Sequence, residues 1–193
     1  MPLGAARFGL LGGVADLGKL ELIETQTATG TTNTVDFTSL QESTYNVHFL
    51  TINDLYFGSG TNVLTRLRFS NNGGTSFITS GYQYAYQQGN SAGTFSEQRS
   101  TSDSYINLIP NTGNAATETT NAYVYFYNLG DSSKYSFLTY HTSGMDSTST
   151  NYQMSFGSAV LPTAEIHNAF QLMESLGTRT YYGKFSLYGI AES

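Results

Sequence analysis

The sequence predicts an all-β protein, an antiparallel β-sandwich that is jelly-roll-like and carries an extended N-terminal arm. Three observations lead to this prediction. Apolar and polar residues alternate at a period of two along most of the chain. Turn residues separate about ten short segments at near-even spacing, as in sandwiches and barrels. The polar residues are mostly uncharged, since Ser, Thr, Asn and Gln make up roughly a third of the chain, which suits exposed strands.

Length and composition limit the domain organisation. With 193 residues, the chain is long enough to bury the core of one domain. Charged residues make up only 11% of the chain, but aromatic residues reach 14% and supply apolar surface for a folded core. We expect residues 1–18 to form a docking arm and residues 19–193 to form a single β-sandwich domain.

The arm is defined by its glycines and by its lack of alternation. An apolar segment of this kind becomes ordered when it is tied to another surface, and glycine lets it pass close to a second backbone. We therefore expect the arm to dock on a neighbouring subunit through its apolar side chains, which are Phe8, Leu10, Leu11 and Val14.

Strands in the first half of the domain follow from alternation. The pattern predicts strands over residues 19–25, 45–50 and 63–69. The sequence Asn71-Asn72-Gly73-Gly74 tolerates positive φ and indicates a hairpin turn. The partner strand of this hairpin is predicted over residues 77–86.

The second half of the domain continues in the same manner. Polar stretches at residues 111–120 and 142–150 are expected to be loops. Strands are predicted on either side of them and at the end of the chain, over residues 105–109, 122–127, 134–140, 152–156 and 184–190.

One segment, residues 164–176, fits two patterns. Apolar residues at helical spacing, with Thr163 as an N-cap and Gly177 as a stop, indicate a helix. The same residues also alternate as a strand. We favour the strand, because residues 176–183 then form a loop that leads into the final strand.

The pattern of nucleophiles and bases gives no sign of catalysis. The three histidines lie on different predicted elements. The segment Gly89-Asn90-Ser91-Ala92-Gly93 matches G-x-S-x-G, but in a chain predicted to be all-β it lacks the strand–turn–helix context of a nucleophile elbow. His48 is expected on the polar face of a strand, as a solvated or hydrogen-bonded residue, and His167 carries no motif. His141 precedes a polar loop, where functional residues are more common, but a structural role is still favoured. We identify no catalytic residue and predict that the protein is not an enzyme.

Metal and cofactor sites are not indicated either. The absence of cysteine excludes a thiolate nucleophile and cysteine-type zinc sites. Several acidic residues lie in predicted loops and turns, but no D-x-D-x-D pattern is present, and turn aspartates normally bond to their own backbone. We therefore expect no metal and no cofactor.

Charge and hydropathy exclude two kinds of partner. Only eight Lys and Arg residues are scattered along a chain of net charge −6 and pI near 4.8. Phosphate contacts need clustered basic residues, so we expect no nucleic-acid binding. No window approaches the length of a transmembrane helix, so we expect no membrane insertion.

Two tyrosine-rich strands are the candidate interaction surface. Such ladders stack on sugar rings at some binding surfaces. They also stabilise sheets through cross-strand pairs or line subunit interfaces. We favour the structural or interface role and keep glycan binding as the alternative. The residues concerned are Tyr82, Tyr84, Tyr86, Tyr123, Tyr125 and Tyr127.

Several segments together resemble small virion structural proteins of marine tailed bacteriophages. The likeness spans nearly the whole chain. It is carried by the opening Met1-Pro2-Leu3-Gly4-Ala5-Ala6-Arg7-Phe8-Gly9-Leu10, by Val35-Asp36-Phe37-Thr38-Ser39, by residues 20–25, 45–55, 67–86 and 128–140, and by the closing Phe185-Ser186-Leu187-Tyr188-Gly189-Ile190.

This resemblance implies a structural protein at the surface of a phage particle, either a capsid decoration (cement) protein or a fibre or appendage subunit. Virion proteins sit on symmetry axes, so we expect a homo-oligomer, with a trimer favoured. Other virion proteins, such as capsid or tail subunits, are the expected partners. The alternative is a carbohydrate-binding host-adhesion module that binds a host surface glycan through its Tyr-rich strands and polar loops.

Overall fold

The computed structural model describes residues 19–147 and 150–191. These residues form two antiparallel sheets of eight and four strands, which confirms the predicted all-β class and β-sandwich. The predicted arm at residues 1–18 lies outside the described residues, with Phe8, Leu10, Leu11 and Val14. The strands are β1 (Leu20–Thr29), β2 (Thr34–Phe37), β3 (Val47–Phe57), β4 (Val63–Ser70), β5 (Tyr82–Asn90), β6 (Phe95–Asp103), β7 (Ile106–Thr112), β8 (Thr120–Tyr127), β9 (Ser136–Met145), β10 (Tyr152–Leu161), β11 (Ala169–Glu174) and β12 (Tyr181–Ile190).

The connectivity is that of a jelly roll. Four antiparallel pairs are nested from the middle of the chain outwards: β4 with β7, β3 with β8, β2 with β11, and β1 with β12. Successive pairs alternate between the two sheets, so the chain resembles one long hairpin that is rolled around a common core. This topology confirms the jelly-roll-like prediction.

Two inserted hairpins enlarge one of the sheets. The hairpins β5–β6 and β9–β10 lie between strands of the nested pairs, and β9 pairs with β8 while β10 pairs with β5. The larger sheet therefore has the order β1-β12-β3-β8-β9-β10-β5-β6, and the smaller sheet has the order β2-β11-β4-β7. Half of the eight-stranded sheet thus comes from the two insertions.

Aromatic rings dominate the core between the sheets. Phe126 of β8 stacks on Phe170 of β11 with ring centroids 4.9 Å apart, and Phe170 stacks on Phe37 of β2 at 5.0 Å. All three rings are fully buried, and burial of one such side chain contributes about 1.5–3 kcal/mol. Because Phe126 belongs to the larger sheet and the other two rings belong to the smaller one, this stack joins the two sheets face to face.

The first tyrosine ladder lies in the core, not on an exposed face. Tyr82, Tyr84 and Tyr86 are only 0%, 8% and 5% exposed. Strand β7 lies close to the inner side of β5 and covers the rings. The prediction that this ladder forms an exposed interface or glycan face is therefore wrong for Tyr82 and Tyr84. Alternation alone does not tell which face of a strand the opposite sheet will cover.

The predicted hairpin at residues 71–74 is also wrong. Gly73 and Gly74 have positive φ, as a turn requires, but β4 and β5 belong to different sheets. The turn therefore opens a crossover between the two layers. The phenol of Tyr82 fixes the end of this crossover, because its oxygen accepts a hydrogen bond from Phe69 N at 2.8 Å and donates one to Ile78 O at 3.1 Å.

Most of the other predicted strands are confirmed, with two additions. Residues 169–174 form a strand, β11, as favoured over the helix. Strand β7 continues through Pro110, where the sequence predicted an end, and β9 continues into the predicted loop at residues 142–150. Strands β2 and β6 were not predicted.

Two histidines are buried in the described structure. His48 was predicted on the polar face of its strand, but its ring points into the core, where Nε2 lies 2.8 Å from Leu40 O. His167 is also fully buried, and its Nδ1 lies 2.7 Å from the Ser136 hydroxyl. Burial lowers the pKa of both imidazoles, although the Glu165 carboxylate, 3.3 Å from His167 Nε2, partly opposes this effect on the second.

These buried imidazoles predict a loss of stability in mild acid. The unfolded histidines take up protons below pH about 6.5, while the folded ones stay neutral to lower pH. The contribution of each neutral, buried histidine to the free energy of unfolding is therefore complete above that pH and is lost as the pH falls. Between the unfolded and the folded pKa of a histidine, the loss is up to about 1.4 kcal/mol for each pH unit. Urea unfolding measured from pH 8 to pH 5 should give a shallower pH dependence for His48→Asn and for His167→Asn than for the wild type.

The exposed His141 supplies the control for this experiment. The variant His141→Asn also removes one imidazole, but from the protein surface, so the part of the change in slope that exceeds the change at this position is the effect of burial. Equal slopes for the wild type and both buried-site variants would contradict the prediction.

A second prediction concerns the hydroxyl of Tyr82. The variant Tyr82→Phe keeps the ring but leaves the buried Phe69 N–H without this acceptor. We expect a loss of about 1–3 kcal/mol in the free energy of unfolding, measured by chemical denaturation. The same change at the exposed Tyr152 should stay within about 0.5 kcal/mol. Equal effects at the two positions would refute the role given to the Tyr82 hydroxyl.

Candidate functional site

The outer face of the eight-stranded sheet, which points away from the smaller sheet, carries a continuous band of aromatic side chains. Cross-strand partners point to the same face of a sheet, and the register brings rings from five neighbouring strands together. On this outer face Tyr188 lies opposite Phe49, Phe49 opposite Tyr125, Tyr123 opposite His141, and His141 opposite Phe156.

The rings of this band are in contact. Phe49 lies 4.7 Å from Tyr125 and 6.1 Å from Tyr123, between ring centroids. Tyr123 lies 5.5 Å from His141, which in turn lies edge-on to Phe156 at 5.6 Å. Tyr123 and Phe156 nevertheless remain 41% and 40% exposed. These contacts fix the orientation of the rings while leaving large parts of them open to solvent.

A wide hollow of about 750 Å³ lies on the inserted half of this face. Its volume falls within the range of about 300–1,000 Å³ that is typical of ligand pockets. Small residues of β5 and β10 form its floor, and aromatic side chains of β8, β9 and β10 stand beside them. The residues that line the wide hollow are Ala85, Tyr86, Gln87, Glu97, Gln98, Arg99, Tyr123, Tyr125, Tyr127, Thr139, Tyr140, His141, Phe156, Gly157 and Ser158.

A narrow hollow of about 440 Å³ adjoins the wide one. Tyr123 and His141 line both hollows, and the Tyr123 hydroxyl lies 3.0 Å from His141 Nδ1, in hydrogen-bond contact. This pair therefore forms the boundary between them. The remainder of the narrow hollow combines amides and hydroxyls with apolar side chains, including Phe49, Thr51, Asn53, Asn121, Ser143, Tyr152 and Met154.

The charge at the wide hollow is balanced. Its two charged residues, Glu97 and Arg99, both belong to the edge strand β6 and form an ion pair with each other. Both side chains are mostly exposed, so the pair contributes little to stability. Gln87, which lies opposite Glu97 on β5, adds a neutral amide at the same rim. The hollow thus offers hydrogen-bonding groups without a net charge.

The sequence predicted only part of this site. Tyr123, Tyr125 and Tyr127 do share the exposed outer face, but Tyr82 and Tyr84 lie on the opposite side of the sheet. Tyr86 is the member of the first ladder that also lines the wide hollow, although it is only 5% exposed. Sequence reasoning missed Phe49, Gln87, Arg99 and Phe156 as site residues. Their alternation marks the face on which they lie, but the pairing that brings their strands together is not local in the sequence.

The other candidate groups for catalysis are not arranged as an accessible site. Ser136, His167 and Glu165 form a row of polar contacts like that of a serine hydrolase, but Ser136 and His167 are both fully buried and closed to solvent. Asp131 bonds to the backbone of its own turn through Ser133 N at 2.9 Å, as expected of a turn aspartate. Within residues 19–147 and 150–191, no group of three or more His, Asp or Glu side chains is placed to hold a metal ion.

No helix in the described part of the chain is long and apolar enough to cross a membrane. No protein-family model matches the chain, and no curated protein matches its sequence.

Among solved structures, two structures of Scytalido-glutamic peptidase with transition state analogs are similar over 88% of this chain and 76% and 77% of theirs, at 12% identity and TM-scores of 0.27 and 0.25. The CspB protease of Clostridium perfringens is similar over 81% of this chain and 24% of its own, at 11% identity and a TM-score of 0.12. Likeness at this level supports no inference about the fold or chemistry of this chain.

Proposed function

We propose that this protein is a surface-displayed β-sandwich of a tailed-phage particle that binds a carbohydrate through the wide hollow of its outer face. The observation that carries the binding role is the band of exposed, mutually contacting rings beside this hollow. A soluble protein rarely exposes such a surface without using it. The proposal makes the protein a binding protein and not an enzyme.

Sugars fit this surface for two reasons. Their apolar C–H faces pack against flat aromatic rings, and Tyr125 and Phe156 present partly exposed rings held in place by neighbours. Their hydroxyls need donors and acceptors close by, which Gln87, Thr139 and Ser158 supply at the same hollow. Tyrosine suits such a role because its rigid ring loses little conformational entropy on binding.

Nucleic acid also stacks on aromatic side chains, but it requires positive charge along the backbone path. Arg99 is the basic residue that lines the wide hollow, and Glu97 neutralises it. The net charge of −6 opposes a polyanion further. A neutral glycan needs no positive charge for binding and is not repelled by the negative net charge.

The placement on a phage particle is part of the same proposal and is supported by the resemblance of the sequence to small virion structural proteins. Capsid decoration and fibre or appendage subunits are the two sites that this resemblance implies. We propose a symmetric homo-oligomer, with a trimer favoured, and capsid or tail subunits as partners. Its subunit contacts require a surface other than Tyr82, Tyr84 and Tyr86, because these rings are already buried within one chain.

The variant Tyr125→Ala tests the binding role. Tyr125 lines the wide hollow and is half-buried, so its removal should leave the fold intact while taking away a central stacking surface. A screen of immobilised neutral and acidic glycans should identify neutral ligands for the wild type. Calorimetry with the best ligand should then show a loss of about 2 kcal/mol, or roughly thirtyfold in affinity, for Tyr125→Ala.

Tyr135→Ala is the matched control, since Tyr135 is an exposed tyrosine that lines neither hollow. It should bind like the wild type. Thermal melting and light scattering on all three proteins separate binding from folding and assembly. If Tyr125→Ala changes the oligomeric state instead of glycan binding, the outer face is a subunit interface and the proposal is wrong.

A further inference from the structure

We infer that the carbohydrate is an extended, uncharged oligosaccharide or polysaccharide strand that runs along β8 and β9 and occupies the wide and narrow hollows together. The inference rests on the proposed function and specifies its ligand class. It is carried by the order in which outward-pointing residues of these strands line the two hollows.

Strand β8 gives the clearest sequence of contacts. Its outward residues follow each other at a period of two, first Tyr127, Tyr125 and Tyr123 in the wide hollow and then Asn121 in the narrow one. At about 3.3 Å per residue, the six steps from Tyr127 to Asn121 cover about 20 Å. A single sugar ring is too short to contact both ends of this path.

Strand β9 repeats the same order beside β8. Thr139 lines the wide hollow, His141 lines both hollows, and Ser143 lines the narrow one. Residues Tyr123 and His141 lie opposite each other in the register, as do Asn121 and Ser143. One cross-strand pair of β8 and β9 therefore lies at the boundary and another lines the narrow hollow, so the same two strands run under the whole path.

The two hollows differ in chemistry in a way that suits successive sugar units. In the wide hollow, aromatic rings stand on one side and small residues form the floor. The narrow hollow carries the amides of Asn53 and Asn121 close to the exposed side chains of Tyr152 and Met154. Amides hydrogen-bond to hydroxyls as both donors and acceptors. This arrangement provides stacking in one hollow and orientation of hydroxyl groups in the next.

The charge of the path indicates a neutral strand. Among residues 19–147 and 150–191, no Asp, Glu, Lys or Arg lines the narrow hollow, and those that line the wide hollow are the paired Glu97 and Arg99. A uronic or sialic acid polymer would place one carboxylate after another along a path without an unpaired basic partner. A polymer that carries only hydroxyl groups has no charges that would be left unpaired along this path.

Chain length provides the test. The probes are purified di-, tetra- and hexasaccharides of neutral glucan, mannan, galactan and xylan series, titrated by calorimetry into the full chain. For the series that binds, affinity should rise from the disaccharide to the hexasaccharide by about a hundredfold, as the second hollow fills. Tyr152→Ala, which alters only the narrow hollow, should lower hexasaccharide affinity about tenfold and leave disaccharide affinity unchanged.

Each result has one meaning. Tyr125→Ala should weaken both ligands, and Tyr135→Ala should weaken neither. If the disaccharide binds as tightly as the hexasaccharide and Tyr152→Ala has no effect while Tyr125→Ala abolishes binding, the extended strand is refuted and the proposed function stands. If no series binds, or if binding is indifferent to Tyr125→Ala, the proposed function falls together with the inference.

Discussion

The packing of buried tyrosines between the inserted strands and β7 is the contact on which the outer face depends. Strand β7 packs on the inner side of the inserted strands β5, β9 and β10, and Tyr84, Tyr86 and Tyr140 fill the space between them. Asn107 of β7 bonds to two of these hydroxyls, since its side-chain amide donates to Tyr84 Oη at 2.8 Å and its backbone carbonyl accepts from Tyr140 Oη at 3.0 Å. Burial, with a further effect of the hydrogen-bonded Asp103 carboxylate, raises the pKa of Tyr84 to about 12. The phenol is therefore neutral at physiological pH, as a buried group must be.

This inner contact determines the shape of the outer surface through Gly157. A side chain at this position of β10 would collide with the Tyr86 side chain and would lie 2.7 Å from Ala85 O. The glycine therefore allows the tyrosines to approach the sheet from inside. On the outer side, Gly157 and Ala85 line the wide hollow, between larger residues such as Tyr127 and Phe156. Gly157 thus permits the dense inner contact, and it also forms part of the lining of the wide hollow.

Local pattern predicted most strands here, but it could not predict which face each strand buries. Strand β8 has apolar or aromatic residues on both faces. Alternation therefore assigns its residues to two faces, but it does not show that the face with Tyr125 points outwards. At β5 the same tyrosine pattern points inwards, because β7 covers Tyr84 from the smaller sheet. The turn at residues 71–74 was recognised from its glycines, yet the sheet that receives the next strand depends on distant pairing. Strand Phe95–Asp103 was missed because its mostly polar residues form no apolar face and its position depends on backbone pairing with β5.

The edge strand β6 has two roles. It protects the sheet from pairing with other chains, and it forms one side of the proposed sugar site. An edge strand exposes unpaired backbone groups that attract other strands, and charged side chains discourage such pairing. Glu97 and Arg99 supply these charges on β6, and Lys19 and Glu21 supply an ion pair at the opposite edge, β1. Glu97 and Arg99 also form one rim of the wide hollow, where their charges cancel and their polar atoms remain available to hydroxyl groups. The rings of the aromatic band lie on β12, β3, β8, β9 and β10, inside the two edge strands, although Phe95 of β6 is also exposed. The band that carries the proposed sugar site is therefore flanked on both sides by strands that bear charged pairs.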